Sequence, residues 1–98
     1  MKNYKVTADP RVKLDLKEAK YFLESKQKGL SKKFLKDYRK ALKKLQNNPF
    51  FQLRYKDIHC LPLEVFKYML HFKIDEQNLT VTIYAVISTH RNPNTHWL

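Results

Sequence analysis

The sequence has little cysteine, glycine or proline. Cys60 is the single cysteine among 98 residues, which excludes an internal disulfide framework and the usual cysteine-rich zinc sites. A chain without disulfides is typical of a reducing compartment, so we expect a cytoplasmic protein. One glycine and four prolines stand beside 13% aromatic residues. That balance excludes a disordered chain, because disordered chains are poor in aromatic residues.

Long apolar runs are also missing. The first residues, Met1 to Val6, contain no apolar segment of signal-peptide length. No stretch approaches the roughly 18 apolar residues that a membrane helix needs, so we expect no membrane partner. A chain of 98 residues has room for one hydrophobic core, which predicts a single domain over residues 1–98.

Acidic residues are scarce relative to basic ones. Nine Asp and Glu stand against 20 Lys and Arg, for a net charge of +11. This charge favours a polyanionic partner, whether nucleic acid, the ribosome or a strongly acidic protein. From Arg11 to Lys44 there are thirteen basic and four acidic residues, so most of the excess lies in one segment. Six lysines there are typical of a solvated helix face, and contact with nucleic acid is the alternative. They are Lys13, Lys17, Lys20, Lys36, Lys40 and Lys43.

The first half of the chain predicts a strand and a helical hairpin. The alternating segment Tyr4 to Ala8 is typical of an outer strand. Asp9 as N-cap and Pro10 as first helical residue predict a helix that runs to about Lys26. Its apolar stripe is Val12, Leu16, Ala19 and Leu23, with Phe22 beside them.

A second helix is predicted after the break at Gln27-Lys28-Gly29. Ser31 is the candidate cap, and Asn47-Asn48-Pro49 ends the helix, since proline disfavours helix in the residue before it. The short join predicts that the two helices are antiparallel. The apolar stripe of this helix is Phe34, Leu35, Tyr38, Ala41, Leu42 and Leu45.

The second half predicts strands. One lies within Phe51 to Leu61, a second covers Val65 to Ile74, and a third covers Leu79 to Thr89. Asp75 to Asn78 is predicted as a four-residue hairpin turn, which would pair residues 74 and 79. Residues 90–98 form a short tail.

The two long strands each have one apolar face, and the helices are expected to pack there. That face consists of Phe66, Tyr68, Leu70, Phe72 and Ile74, with Leu79, Val81, Ile83, Ala85 and Ile87. The opposite face is polar, cationic and aromatic, with Lys67, Met69, His71 and Lys73 opposite Val86, Tyr84, Thr82 and Thr80. The predicted fold is an α+β domain of order β-α-α-β-β-β. An antiparallel sheet carries the helical hairpin on one face.

This order of elements, with several short motifs, resembles the RelE/ParE superfamily of toxins from type II toxin–antitoxin systems. The likeness covers almost the full length and depends on the order and spacing of the motifs. They are Asp9-Pro10-Arg11 with Asp15-Leu16 and Ala19; Phe34, Ala41-Leu42, Leu45 and Asn48-Pro49; His59 to Leu63 leading into Phe66 to Phe72; Val81 to Val86; and His90 to Pro93 with Trp97.

The resemblance implies a small basic toxin that arrests growth and is neutralised by an acidic, partly disordered antitoxin. RelE-like members enter the ribosomal A site and cleave mRNA without a metal, whereas ParE-like members poison DNA gyrase. No cofactor and no metal site are expected. A toxin–antitoxin hetero-oligomer is implied, and an uncovered sheet edge would permit a homodimer.

The residues favour the ParE-like branch. Metal-free RNA cleavage needs an acid, a base and cations around the developing charge. The resemblance places those cations on the middle strands and after the last strand. Arg91 fits the final position, but Cys60, Pro62 and Met69 stand at the strand positions. For a nuclease, the candidate catalytic residues are Arg91, His90 and His71, with His96 and Lys67 as further replacements.

ParE-like inhibition requires a binding surface instead of a catalytic set. The candidate residues for antitoxin or target binding are Lys67, Met69, His71, Lys73, Tyr84, Arg91 and Trp97. Two of them have structural alternatives. Arg91 would pair with Asp57 or a chain terminus, and Trp97 would pack over the sheet edge instead of stacking on a base. An inactivated toxin or a plain basic binding module remains a third interpretation of the whole chain.

Overall fold

The computed structural model describes residues 3–51, 53–55 and 57–89, with the backbone alone for 53–55. The elements in chain order are β1 (Lys5–Ala8), α1 (Arg11–Lys26), α2 (Leu30–Asn47), β2 (Leu53–Tyr55), β3 (Ile58–Pro62), β4 (Tyr68–Asp75) and β5 (Thr80–Ser88). The predicted order is confirmed, and the region 51–61 holds two strands where the sequence predicted one. Within the described residues, no helix is both long and apolar enough to cross a bilayer.

The strands form one sheet in the order β1-β5-β4-β3-β2. β1 lies at an edge, as predicted, and pairs in parallel with β5, while the remaining pairs are antiparallel. The core lies between the helical hairpin and one sheet face. Phe34 and Leu45 of α2 are fully buried there against Leu70, Phe72 and Ile83 of the sheet. Each such side chain stabilises the fold by about 1.5–3 kcal/mol, so this layer holds the helices on the sheet.

Helix α1 starts as the sequence predicts. Asp9 Oδ1 accepts the backbone N–H of Arg11 at 3.0 Å, and Pro10 already has helical dihedral angles. The helix ends at Lys26, also as predicted. The placement of Phe22 beside the buried stripe is wrong, because 52% of it is exposed. Its ring lies 5.0 Å from the Lys26 ammonium, one hundred degrees around the helix from buried Leu23.

The helix–helix turn is capped by Glu24 and not by Ser31, so that prediction is wrong. The Glu24 carboxylate accepts the N–H groups of Gly29 and Ser31 at 3.0 and 3.1 Å, and the Ser31 hydroxyl at 2.8 Å. These donors, the Gly29 N–H foremost, hold the pKa of Glu24 below its usual range. Gly29 supplies the left-handed conformation of the turn, with φ of 93°.

The loop before β4 is held by a buried carboxylate. Val65 was predicted to begin a strand, but β4 begins at Tyr68. Asp37 of α2 is 3% exposed and accepts the N–H groups of Val65 and Phe66 at 2.9 Å each. It also accepts the Glu64 N–H at 3.3 Å. Because the Asp37 carboxylate accepts these backbone N–H groups, they are satisfied without the carbonyl groups of a neighbouring strand.

The β4–β5 hairpin differs from the predicted register by two residues. Asp75 pairs with Thr80 and Lys73 with Thr82, where the sequence predicted pairing of 74 with 79. Leu79 belongs to the turn and has a positive φ of 49°. The Asp75 carboxylate accepts the Asn78 N–H at 3.1 Å, which closes the turn one residue later than expected.

A bulge in β5 reverses the faces of its second half. Phe72 pairs with Ile83 and His71 with Ala85, so Tyr84 is the additional residue. Val86 consequently joins the core, while Ala85 and Ile87 lie on the opposite face, the reverse of the prediction. Asp15 Oδ2 of α1 accepts the Val86 N–H at 2.9 Å. This bond ties α1 to β5 just beyond the bulge.

Candidate functional site on the open sheet face

The open face is the side of the sheet opposite the helices. Strand alternation and the bulge place Met69, His71, Lys73 and Tyr84 on it, as predicted. Lys67 is exposed in the loop before β4, where its carbonyl accepts the Thr89 N–H at 2.9 Å. The other predicted site residues, His90, Arg91, His96 and Trp97, lie outside the described residues.

The centre of the open face is buried and mainly apolar. Five residues there, none of them part of the core under the helices, are each less than 10% exposed: Ile58, Cys60, His71, Ala85 and Ile87. His71 Nδ1 lies 3.5 Å from Cys60 Sγ. His71, a candidate site residue, is therefore largely buried on this face, where its imidazole packs beside a thiol.

The exposed rim of the open face carries a cation–aromatic cluster around Tyr84. The Lys73 Nζ lies 5.5 Å from the centre of the Tyr84 ring, and the Arg11 guanidinium carbon lies 5.8 Å from it. Both distances fall within the range of cation–π attraction, so the ring holds the two cations near each other. We call Arg11, Lys73 and Tyr84 the Tyr84 cluster.

Two carboxylates partly neutralise the Tyr84 cluster. Asp9 Oδ1 lies 3.1 Å from Arg11 Nε, and Asp57 Oδ1 lies 3.6 Å from Lys73 Nζ. The Arg11 backbone N–H, followed by its side chain, holds the pKa of Asp9 below its usual range. Asp9 uses one guanidinium nitrogen, and 49% of the Arg11 side chain is exposed, so donors remain for an incoming anion. The cluster is suited to binding a carboxylate or a phosphate.

Arg11 is the site residue that sequence reasoning missed. It was read as part of the helix-start motif, yet it reaches the open face from the first turn of α1. The Asp9 N–H donates to the Ile83 carbonyl at 2.8 Å, which fixes the helix start beside β5. The Asp9-Pro10-Arg11 motif contained a usable signal, because a helix that starts next to a strand places its first-turn side chains near that strand.

On the open face, the three strand positions at which the resemblance places cations of a nuclease are Cys60, Pro62 and Met69. Cys60 pairs with His71 and Pro62 with Met69 across β3 and β4, so these pairs contain no Lys or Arg. His59 points to the helix side, where its Nδ1 lies 2.8 Å from the Phe51 carbonyl oxygen. Among the residues that the structure describes, no group of three or more His, Cys, Asp or Glu is placed to hold a metal.

Comparison with known proteins finds likeness in structure. No protein-family model matches the sequence, and no curated protein matches it. A chain of the chromosomal ParDE toxin–antitoxin system from P. aeruginosa superposes with a TM-score of 0.75 at 13% identity, covering 87% of this chain and 95% of that one.

Two E. coli structures are also similar. The isolated RelE toxin has a TM-score of 0.62 at 19% identity, covering 91% of this chain and 87% of RelE. A chain of the intact RelBE toxin–antitoxin complex has a TM-score of 0.61 at 20% identity, covering 90% of this chain and 99% of that one. At these identities, the three superpositions show a common fold. The chain has the RelE/ParE toxin fold.

Proposed function

We propose that this chain is the toxin of a type II toxin–antitoxin system, that it arrests growth by inhibiting DNA gyrase in the ParE manner, and that an acidic antitoxin neutralises it. The fold supports the class of toxin, since the similar structures include a ParDE system and the RelE toxin. The net charge of +11 supports an acidic partner.

The ParE-like branch is supported by the chemistry of the open face. Cys60 is buried, Met69 is half-buried and Pro62 has no charge, so these three strand positions contribute no cation to a developing phosphate charge. His71, the one described histidine on this face, is buried beside Cys60. A surface of this kind is suited to binding. RelE-like cleavage would have to draw its acid and base from elsewhere.

Growth and target assays test the branch. Induction without the antitoxin should arrest growth, and the purified chain should inhibit gyrase supercoiling while leaving mRNA intact in a purified translation reaction. Codon-phased mRNA cuts that disappear in Arg91→Ala would instead identify a ribosome-dependent nuclease. Normal growth on induction would identify an inactive relic or a plain binding module.

The antitoxin is proposed to contact the rim of the open face, with Lys67, Lys73 and Tyr84 facing its acidic segment. Lys73 and Tyr84 are half-buried and lie together, and Lys67 is exposed in the neighbouring loop. Arg11 completes the cationic rim. An acidic amphipathic segment fits such a mixed surface.

Charge reversal tests this contact. Lys67→Glu with Lys73→Glu should weaken antitoxin binding at least tenfold, because Glu at 73 would also stand beside Asp57. The matched control reverses Lys17 and Lys28, two exposed lysines of the helical hairpin, which make the same change in net charge on the other side of the sheet. Equal affinity of the two double variants would refute the proposed surface.

A further inference from the structure

The outer face of α2 is a continuous basic surface. Six consecutive outward positions of this helix carry Lys or Arg, and all six side chains are exposed. They are Lys32, Lys33, Lys36, Arg39, Lys40 and Lys43, and we call them the α2 basic face. The inner side of the same helix is buried through Phe34, Tyr38, Ala41 and Leu45. The face therefore cannot turn inward, and its charges remain in solvent.

These six cations have no ion-pair partner among the described residues. The three ion pairs there join Arg11 to Asp9, Lys44 to Glu64 and Lys73 to Asp57. Asp37, the one acid within α2, is buried and accepts backbone N–H groups. Glu24 attracts Lys32, and Glu64 attracts Lys40, but neither acid forms an ion pair with these lysines. The positive charge of the α2 basic face is therefore only partly compensated.

The spacing of the cations opposes helix stability. Lys32 and Lys36, Lys36 and Lys40, and Arg39 and Lys43 each stand four residues apart on the same side of the helix. Like charges at this spacing repel, so the pattern destabilises α2 in isolation. A polyanion laid along the face would remove that repulsion.

We propose that the α2 basic face binds the phosphate backbone of double-stranded nucleic acid without reading its sequence. The face is about 16 Å long from Lys32 to Lys43, over which one strand of a duplex presents about five phosphates. An acidic protein fits less well, because the exposed positions from 32 to 43 carry no apolar side chain and protein interfaces are depleted in lysine. This inference is independent of the proposed function and holds for either target.

The test measures binding of the full chain to a labelled 20-base-pair DNA duplex by fluorescence anisotropy, at a series of salt concentrations. Contact with about five phosphates predicts a slope of log affinity against log salt of about −5. Lys36→Glu, Arg39→Glu and Lys40→Glu together should weaken binding at least tenfold at about 0.1 M salt and make the slope shallower by about 3. A thermal melt is the control for folding, because Glu at 36 attracts Lys32 but repels Glu at 40, each four residues away.

The matched control is Lys13→Glu, Lys17→Glu and Lys28→Glu, three exposed lysines outside α2 that change the net charge equally. It should retain a slope near −5 and lose less than about threefold in affinity. Equal losses in both variants, or a slope that α2 substitution leaves unchanged, would overturn the proposal. If the Glu variant fails the melting control, Gln at the same three positions should reproduce the slope change. The proposal would also be overturned if the α2 variants kept their affinity for the duplex but lost antitoxin binding. The α2 basic face would then be assigned to an acidic protein.

Discussion

Replacing Asp37 tests how much one buried carboxylate contributes to the structure of the loop beside the proposed site. In Asp37→Ala, the N–H groups of Val65 and Phe66 lose an acceptor at 2.9 Å, and the Glu64 N–H loses one at 3.3 Å. The alanine also leaves space where a side chain only 3% exposed had packed.

The expected loss can be worked from the two short bonds. A hydrogen bond to a charged group contributes about 1.5–3 kcal/mol, so the pair contributes about 3–6 kcal/mol. Glu64 and Val65 are exposed, and water can recover part of that loss. We therefore expect a decrease of about 3 kcal/mol in the free energy of unfolding, or about 15 °C in Tm at this chain length.

Urea and thermal unfolding monitored by circular dichroism give the measurement. Asp37→Asn keeps one carbonyl oxygen and should lose about half as much, whereas Glu18→Ala, on an exposed side chain, should stay within about 0.5 kcal/mol of the wild type. A loss below about 1 kcal/mol in Asp37→Ala would refute the reasoning, because it would mean that water replaces the carboxylate at no cost.

Three further predictions concern the turn and the bulge. The folded pKa of Glu24 lies below its ordinary value of 4.5, so its stabilising contribution is complete above that pH and is lost as the pH falls through the folded pKa. Glu24→Gln should therefore reduce the dependence of urea unfolding on pH in this acidic range, and an unchanged dependence would contradict the cap. Gly29→Ala should lower the free energy of unfolding by about 1–2 kcal/mol. The cost comes from the positive φ alone, because the added Cβ would meet no atom within 4 Å. An unchanged Tm would show that the turn rearranges. Asp15→Ala should increase the hydrogen-exchange rate of the Val86 amide more than that of the Ile83 amide. An equal increase at both amides would argue against the Asp15 hydrogen bond.

The helix ends and part of the core were predictable because short sequence motifs and apolar periodicity determine them. Asp9 and Pro10 mark the start of α1, and the Asn48-Pro49 stop matches the end of α2 at Asn47. Apolar periodicity placed Phe34 and Leu45 in the core. These signals act within a few residues, so a sequence read in isolation contains them.

The hairpin register was not predictable from the same signals. Alternation along β5 looks continuous through Tyr84, and a bulge leaves no mark in an alternating pattern. The acceptor for the Val86 N–H is Asp15, which is 71 residues away in the chain. A side chain that serves a distant backbone group is visible only after the fold has brought the two together.

The candidate site was predicted in part for the same reason. Lys73 and Tyr84 share the open face, as alternation on β4 indicated. The burial of His71 was not predictable, because it depends on all the elements around the residue, and Arg11 was missed because it reaches the open face from α1. Surface charge on α2 was visible in the sequence. That the α2 basic face forms no ion pair with any residue that the structure describes could be learned only from the structure.

The parallel pairing of β1 with β5 has a consequence for synthesis on the ribosome. Val6 pairs with Val81, so the first strand made must wait for the last strand before it has a partner. The helical hairpin likewise emerges before β4 and β5, which supply Leu70, Phe72 and Ile83 to cover its apolar side. Long-range pairing of this kind slows folding and leaves apolar surface uncovered meanwhile. The Tyr84 cluster therefore forms only after β5 has been translated. Until then, the apolar side of the helical hairpin is exposed to chaperones that bind unfolded chains.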